Sequence, residues 1–134
     1  MALAGLPIPP DMQGRSLVPL LKGQHPPDWR TSFYYRYYHD PGDHDTRAHY
    51  GLRTLTHKLV YYWRKDAWEL FDLRSDPEEL VNLAGEPGQR ETLESLRSEL
   101  LRAKQAVGDD DRFANEQPPD GADGPFDTRP ATKR

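Results

Sequence analysis

The sequence predicts an α+β domain: a small antiparallel sheet packed by a C-terminal α-helix, followed by an acidic tail. Three observations carry this. Short aromatic and alternating segments follow one another from Ser32 to Leu73 with tight connections, which favours an antiparallel meander of about four strands over crossover pairing. Leucines then recur at spacings of three and four from Leu93 to Leu100, the period of one helix face. Finally, 134 residues with 35% apolar content suffice for one modest core.

The elements follow in order. Met1 to Gly5 reads as the last turn of a helix ended by glycine, and LPIPPD after it as an extended connector stiffened by proline. Ser16 is placed to cap a short helix carrying Leu17, Leu20 and Leu21, with Gly23 as its stop. Ser32–Tyr38 alternates as a strand, with Phe33, Tyr35 and Tyr37 on one face and Tyr34, Arg36 and Tyr38 on the other. Residues 39–48 are loop by their Asp, Pro and Gly content. His49–Leu55, Lys58–Trp63 and Trp68–Leu73 complete the sheet. A helix then starts at Pro87, carries Leu93, Leu96, Leu100 and Val107 as its stripe, and stops at Gly108. That stripe needs an apolar surface, and one face of the aromatic sheet supplies it. The opposite face is expected to expose tyrosines and leucines to a further partner.

Composition divides the chain at Gly108. Residues 108–134 hold seven acids and four bases, so they carry -3 of the net charge of -4, and only five apolar side chains. So few cannot offset the ~1–2 kcal/mol per residue that ordering a backbone costs, and a disordered tail is expected there. Residues 1–107 form the folded unit. The acidic balance argues against nucleic acid as a partner. No apolar run approaches a membrane span, and the first twenty residues lack the pattern of a secretory signal, so as it stands the chain reads as cytoplasmic with no membrane partner. With no cysteine there is no disulfide, thiolate nucleophile or cysteine-bound zinc.

Candidate chemistry is sparse. His39, His44 and His49 lie five apart with Asp40, Asp43 and Asp45 between them, but that spacing specifies no convergent metal site, and a solvated loop is the preferred reading. No serine sits beside an evident base, and the paired acids Glu78 and Glu79 lie in a turn where nothing tunes a carboxyl for acid–base work. His49, Arg53 and Lys58, with Arg36 on the preceding strand, form a cationic group beside an aromatic sheet. Such a group suits an anionic ligand, with arginine offering bidentate contacts. Ordinary solvent-facing strand cations account for it equally well.

Four segments in a fixed order carry a resemblance: LAGLPIPPDMQGRSLVPLLKG, FYYRYYHD, HYGLRTLTHKLVYYW and WELFDLRSDPEELVNLAGEP, followed by the leucine-striped helix. Residues 1–107 resemble the C-terminal part of a sulfatase of the heparan N-sulfatase, iduronate-sulfatase and bacterial arylsulfatase type. The resemblance implies a subdomain packed on an alkaline-phosphatase-like catalytic domain, in cis or in trans. It also implies that calcium and a formylglycine nucleophile belong to that other domain. Ser75 is followed two places later by Pro77, but the chain continues Glu78-Glu79 without the small residue and the arginine of the family's nucleophile motif. No catalytic residue, metal ligand or cofactor is therefore assigned here, and no turnover is expected from this chain alone. The start at Met1 falls inside a helix of the family pattern, so a fragment or split gene is expected. The resemblance maps a substrate-contacting histidine onto His49, with Arg53 beside it, which makes a sulfated substrate the expected ligand. The alternative is a free-standing carbohydrate- or protein-binding module built on the aromatic sheet.

Overall fold

The computed structural model describes residues 2–9 and 14–116. Four strands, β1 (Ser32–Tyr37), β2 (His49–Thr54), β3 (His57–Tyr62) and β4 (Ala67–Asp72), form an antiparallel meander in the order β1-β2-β3-β4. The ends agree with the sequence pattern to within a residue. Register is set by Tyr35 opposite Gly51, Arg53 opposite Lys58 and Leu59 opposite Leu70. Because side chains alternate along every strand, this register sorts them into two faces.

One face is closed by α2 (Arg90–Ala106), which follows a single 3-10 turn at Pro87–Gln89. Leu52, Leu59 and Leu70 from the sheet and Leu100 from the helix lose essentially all contact with water. Burial of each contributes about 1.5–3 kcal/mol. Leu96 is also buried, and Leu93 and Ala103 pack against the same cluster. Val107, expected in the stripe, is 41% exposed, because the helix ends at Ala106 and Ala103 completes the apolar row. Gly108, at φ +70°, turns the chain out of the helix. Ser32 Oγ donates to Glu99 at 2.5 Å, tying β1 to the helix, and Arg97 lies 4.5 Å from the ring centre of Trp68.

The outer edge of β4 is covered locally. The side-chain oxygen of Asn82 accepts the Leu70 N–H, its amide donates to the Trp68 carbonyl, and the Leu83 N–H donates to the Leu70 carbonyl. A strand edge left open would present those groups to other chains.

Residues 108–116 fold back over the sheet rather than leaving it. Asp109 accepts from Tyr34 and from Arg36, Trp63 Nε1 donates to the Ala114 carbonyl at 2.8 Å, and Phe113 meets Tyr38 edge-on at 5.7 Å. The rest of the expected tail, residues 117–134, lies outside the described residues.

The N-terminal part has the turns expected of it. Ala2–Ala4 is a 3-10 turn ended by Gly5 at φ +68°, and α1 (Val18–Leu21) is one turn, with Ser16 Oγ accepting the Val18 N–H at 3.3 Å. Leu3, Leu6, Ile8, Leu17 and Leu21 are exposed. Arg15 bonds Asp28 at 2.6 Å and covers the Trp29 ring at 5.0 Å.

Candidate oxyanion-binding face

The sheet face turned away from α2 is open and aromatic. Phe33, Tyr35, Tyr37, Tyr62 and Phe71 lie on it with Val60, but the expected exposed patch is smaller: the tyrosines are half-buried, Val60 and Phe71 are buried, Phe33 is exposed, and no leucine lines the depression. A depression of about 630 Å³ lies over this face, lined by Tyr35, His49, Arg53, Lys58, Tyr62 and Glu69 with Glu79 at its rim. His49 and Arg53, the two residues singled out in the sequence, thus share one site.

The depression has a physical origin in Gly51. Tyr35 pairs directly across from it and lies over the bare position: a Cβ on Gly51 would stand 2.5 Å from the Tyr35 hydroxyl oxygen and 2.5 Å from the Leu59 carbonyl oxygen. The Tyr35 hydroxyl is buried without a hydrogen-bond partner. Burial pushes its pKa up, and the nearby charge of Glu79 adds to the shift, so it remains a neutral donor. Tyr62, which donates to Glu69 at 3.0 Å, is pushed up to about 12 by burial and by that carboxylate. Neither phenol is prepared to act as a nucleophile.

His49 is held among three tyrosines, stacked on Tyr37 at 5.7 Å and closer still to Tyr62 at 5.4 Å. Its Nδ1 lies 2.7 Å from the Arg47 carbonyl oxygen, which can only accept. Nδ1 therefore carries the proton, and Nε2 is the nitrogen left to meet a ligand. Arg53 and Lys58, direct partners on β2 and β3, both bond Glu79: Arg53 reaches Oε1 at 3.1 Å and Lys58 takes Oε2. Glu79 comes from the loop after β4, where its backbone is left-handed at φ 57°, a conformation non-glycine residues rarely adopt. Two cations on one concave surface can bind an oxyanion, and His49 Nε2 can accept from a hydroxyl beside it.

Arg36 does not join this group. It points to the helix face, where its side chain is 3% exposed and bonds Asp109 at 2.5 Å and Asp111 at 2.8 Å. Its guanidinium lies over Trp63 at 4.5 Å and Tyr38 at 4.9 Å. Burial alone would lower its pKa, but the two carboxylates outweigh that and keep it charged. Burial likewise pushes the Asp109 carboxyl up, while Arg36 and Tyr34 outweigh it and hold the group at about 2.

The residues present do not fit the calcium that the resemblance attaches to a catalytic domain. Among the described residues no three His, Asp or Glu side chains converge as ligands. Asp40 instead pairs with Arg47 at 3.3 Å and Arg64 at 3.6 Å. No helix among the described residues is long and apolar enough to cross a membrane.

The architecture is an antiparallel sheet with its helix on one face and, on the other, an aromatic depression whose two cations face two carboxylates. The chain belongs to the N-sulphoglucosamine sulphohydrolase C-terminal family, whose model matches residues 1–106. It is 37% identical over 111 residues to an N-acetylglucosamine-6-O-sulfatase of Bacteroides thetaiotaomicron, covering 81% of this chain and 20% of that protein. Among solved structures it superposes on one in complex with its substrate D-glucosamine-2-N,6-O-disulfate, with a TM-score of 0.78 at 35% identity, over 86% of this chain and 24% of the other. A 2-O glycosaminoglycan sulfatase gives a TM-score of 0.72 at 27% identity, over 83% and 24%. The chain thus spans about a fifth of the length of the curated relatives it matches. These likenesses favour the sulfatase subdomain over a free-standing binding module.

Sequence reasoning missed two contributors. Tyr35 was legible as a strand residue, but its role depends on facing Gly51, which only the register reveals. Glu79 looked like a solvated turn acid, and no local signal aims it back at the sheet.

Proposed function

We propose that this chain serves as the C-terminal subdomain of a sulfatase acting on a sulfated saccharide, packing on an α/β catalytic domain supplied in cis or in trans. In this reading His49 and Arg53 meet the substrate, while the nucleophile and calcium belong to the catalytic domain. The functional unit on this reading is residues 1–107, with residues 108–116 packed back on its sheet. The observation that supports it best is the convergence of His49 and Arg53 in one concave depression on the face that α2 leaves open. An oxyanion there gains charge-assisted hydrogen bonds from Arg53, and His49 Nε2 can accept from a hydroxyl of the saccharide. Titrating the full chain with glucosamine 6-sulfate, followed by NMR shifts of β2 and β3 amides, tests the binding half. Saturable shifts that weaken at least about fivefold in His49→Ala are expected, a factor equal to roughly one kcal/mol. Equal shifts with unsulfated glucosamine would overturn it.

A further inference from the structure

We infer that Glu79 is an internal stand-in for the anionic group this face receives, a carboxylate that occupies an oxyanion subsite formed by Arg53 and Lys58 until a ligand displaces it. The inference rests on the reading of the open face as the ligand-binding side.

Three observations carry it. First, Arg53 and Lys58 are direct cross-strand partners, and each takes one oxygen of the same carboxylate. Two cations dividing two oxygens of one group is also the way a sulfate ester or a sugar carboxylate is held. Second, Glu79 belongs to a loop, not to the sheet that supplies its partners. The loop is closed on itself by Val81 N–H donating to Asp76 Oδ2 at 2.9 Å, and its apolar residues Leu80 and Val81 are 81% and 57% exposed. The loop is held to β4 at its two ends, through Asp76 and Asn82, so the two ion pairs add the contact at its middle, and they keep access to water, with Arg53 44%, Lys58 26% and Glu79 25% exposed. Accessible pairs of this kind exchange partners at small cost. Third, the subsite continues into the depression that holds the buried, unpaired Tyr35 hydroxyl, a neutral donor without an acceptor. Glu79 satisfies the cations but leaves that donor unmet, and buried donors are ordinarily paired. The depression leaves room beside the Glu79 carboxylate for a larger anion on the same two cations.

The exchange is purely electrostatic: one anion leaves the cation pair as another enters, and no covalent bond changes. It also confers selectivity. A neutral saccharide offers nothing to replace Glu79, so only a charged group opens the subsite.

The plainer role for Glu79 is a tether for the loop, and the two roles predict opposite outcomes. The test uses the full 134-residue chain with inorganic sulfate and acetate as probes, read by calorimetry and by NMR shifts of the Arg53 and Lys58 amides. Glu79→Gln is expected to tighten sulfate binding by about fivefold, an effect set by freeing exposed ion pairs. The gain should vanish in the Arg53→Gln/Glu79→Gln double variant. The acetate arm tells whether a carboxylate ligand gains as much as a sulfate. Should Glu79→Gln lose its fold by near-ultraviolet circular dichroism, Glu79→Asp, one methylene too short to span both cations, carries the same comparison. Sulfate binding no tighter in either variant than in the unsubstituted chain, including no binding in any of them, overturns the inference. That failure is distinct from failure of the wider reading. The glucosamine 6-sulfate titration of the unsubstituted chain and of His49→Ala can succeed while Glu79→Gln changes nothing.

Discussion

The two faces of the sheet use the same residue type to opposite ends. Arg36 and Arg53 both sit on strands, both pair with carboxylates from distant segments, and differ chiefly in water. Arg36 is 3% exposed and meets Asp109, itself 8% exposed, beneath three aromatic rings. Arg53 is 44% exposed and meets Glu79 at the rim of an open depression. A buried pair cannot be opened without stranding a charge away from water, whereas an exposed pair can trade partners. On the helix face the ion pair is therefore part of the fold, and on the open face it is available for binding.

The sharpest way to break this contrast is to remove one partner of the ion pair on each face. Asp109→Ala should cost about 3–5 kcal/mol in urea denaturation, because the Arg36 charge stays buried without its main partner. Arg53→Ala should cost no more than about 1 kcal/mol. Equal losses would erase the distinction. Next in size is Gly51→Ala, whose Cβ would crowd the Leu59 carbonyl and the Tyr35 hydroxyl at 2.5 Å each. A cost of about 1–3 kcal/mol is expected, together with loss of the depression, seen as perturbed Tyr35 ring resonances.

Acid sharpens the same comparison. The Asp109 carboxyl titrates at about 2 in the folded chain, below the ordinary value of 3.8. Its contribution is thus fully present above about pH 5 and is lost as the pH falls toward 2, a decline of about 2 kcal/mol. In Asp109→Ala the stability curve should flatten over that interval. The smallest effect is expected from Tyr35→Phe. Its hydroxyl is already unpaired and buried, so stability should change by less than about 0.5 kcal/mol in urea denaturation or rise slightly.

Much of this fold was legible because period-2 and period-3.6 patterns survive in short windows. Phe33, Tyr35 and Tyr37 separate from Tyr34 and Arg36 by alternation alone, and Leu93, Leu96 and Leu100 mark the helix face. The site was legible only in part. Alternation already put Arg36 on a different face from Tyr35, but assigning His49 and Arg53 to Tyr35's face requires the β1–β2 register across a ten-residue loop. Nor can composition reveal that Asp109 and Asp111 lie over Arg36, more than seventy positions away along the chain. An acidic run next to a helix end looks solvated until the partner that neutralises it is placed. Glu79 was hidden for a related reason. Its left-handed backbone would have been signalled by glycine, and glutamate gives no such mark.

Arg15 over Trp29, Arg36 over Trp63 and Arg97 over Trp68 together account for all three tryptophans of the chain. Each indole therefore has its own guanidinium companion, and each companion belongs to a different district: the N-terminal loop, strand β1 where the return segment clasps it, and the helix itself. The molecule carries three separate optical reporters, one per district. Retaining one indole at a time turns fluorescence into a local clock, able to order the release of the loop, the return segment and the helix as the protein unfolds.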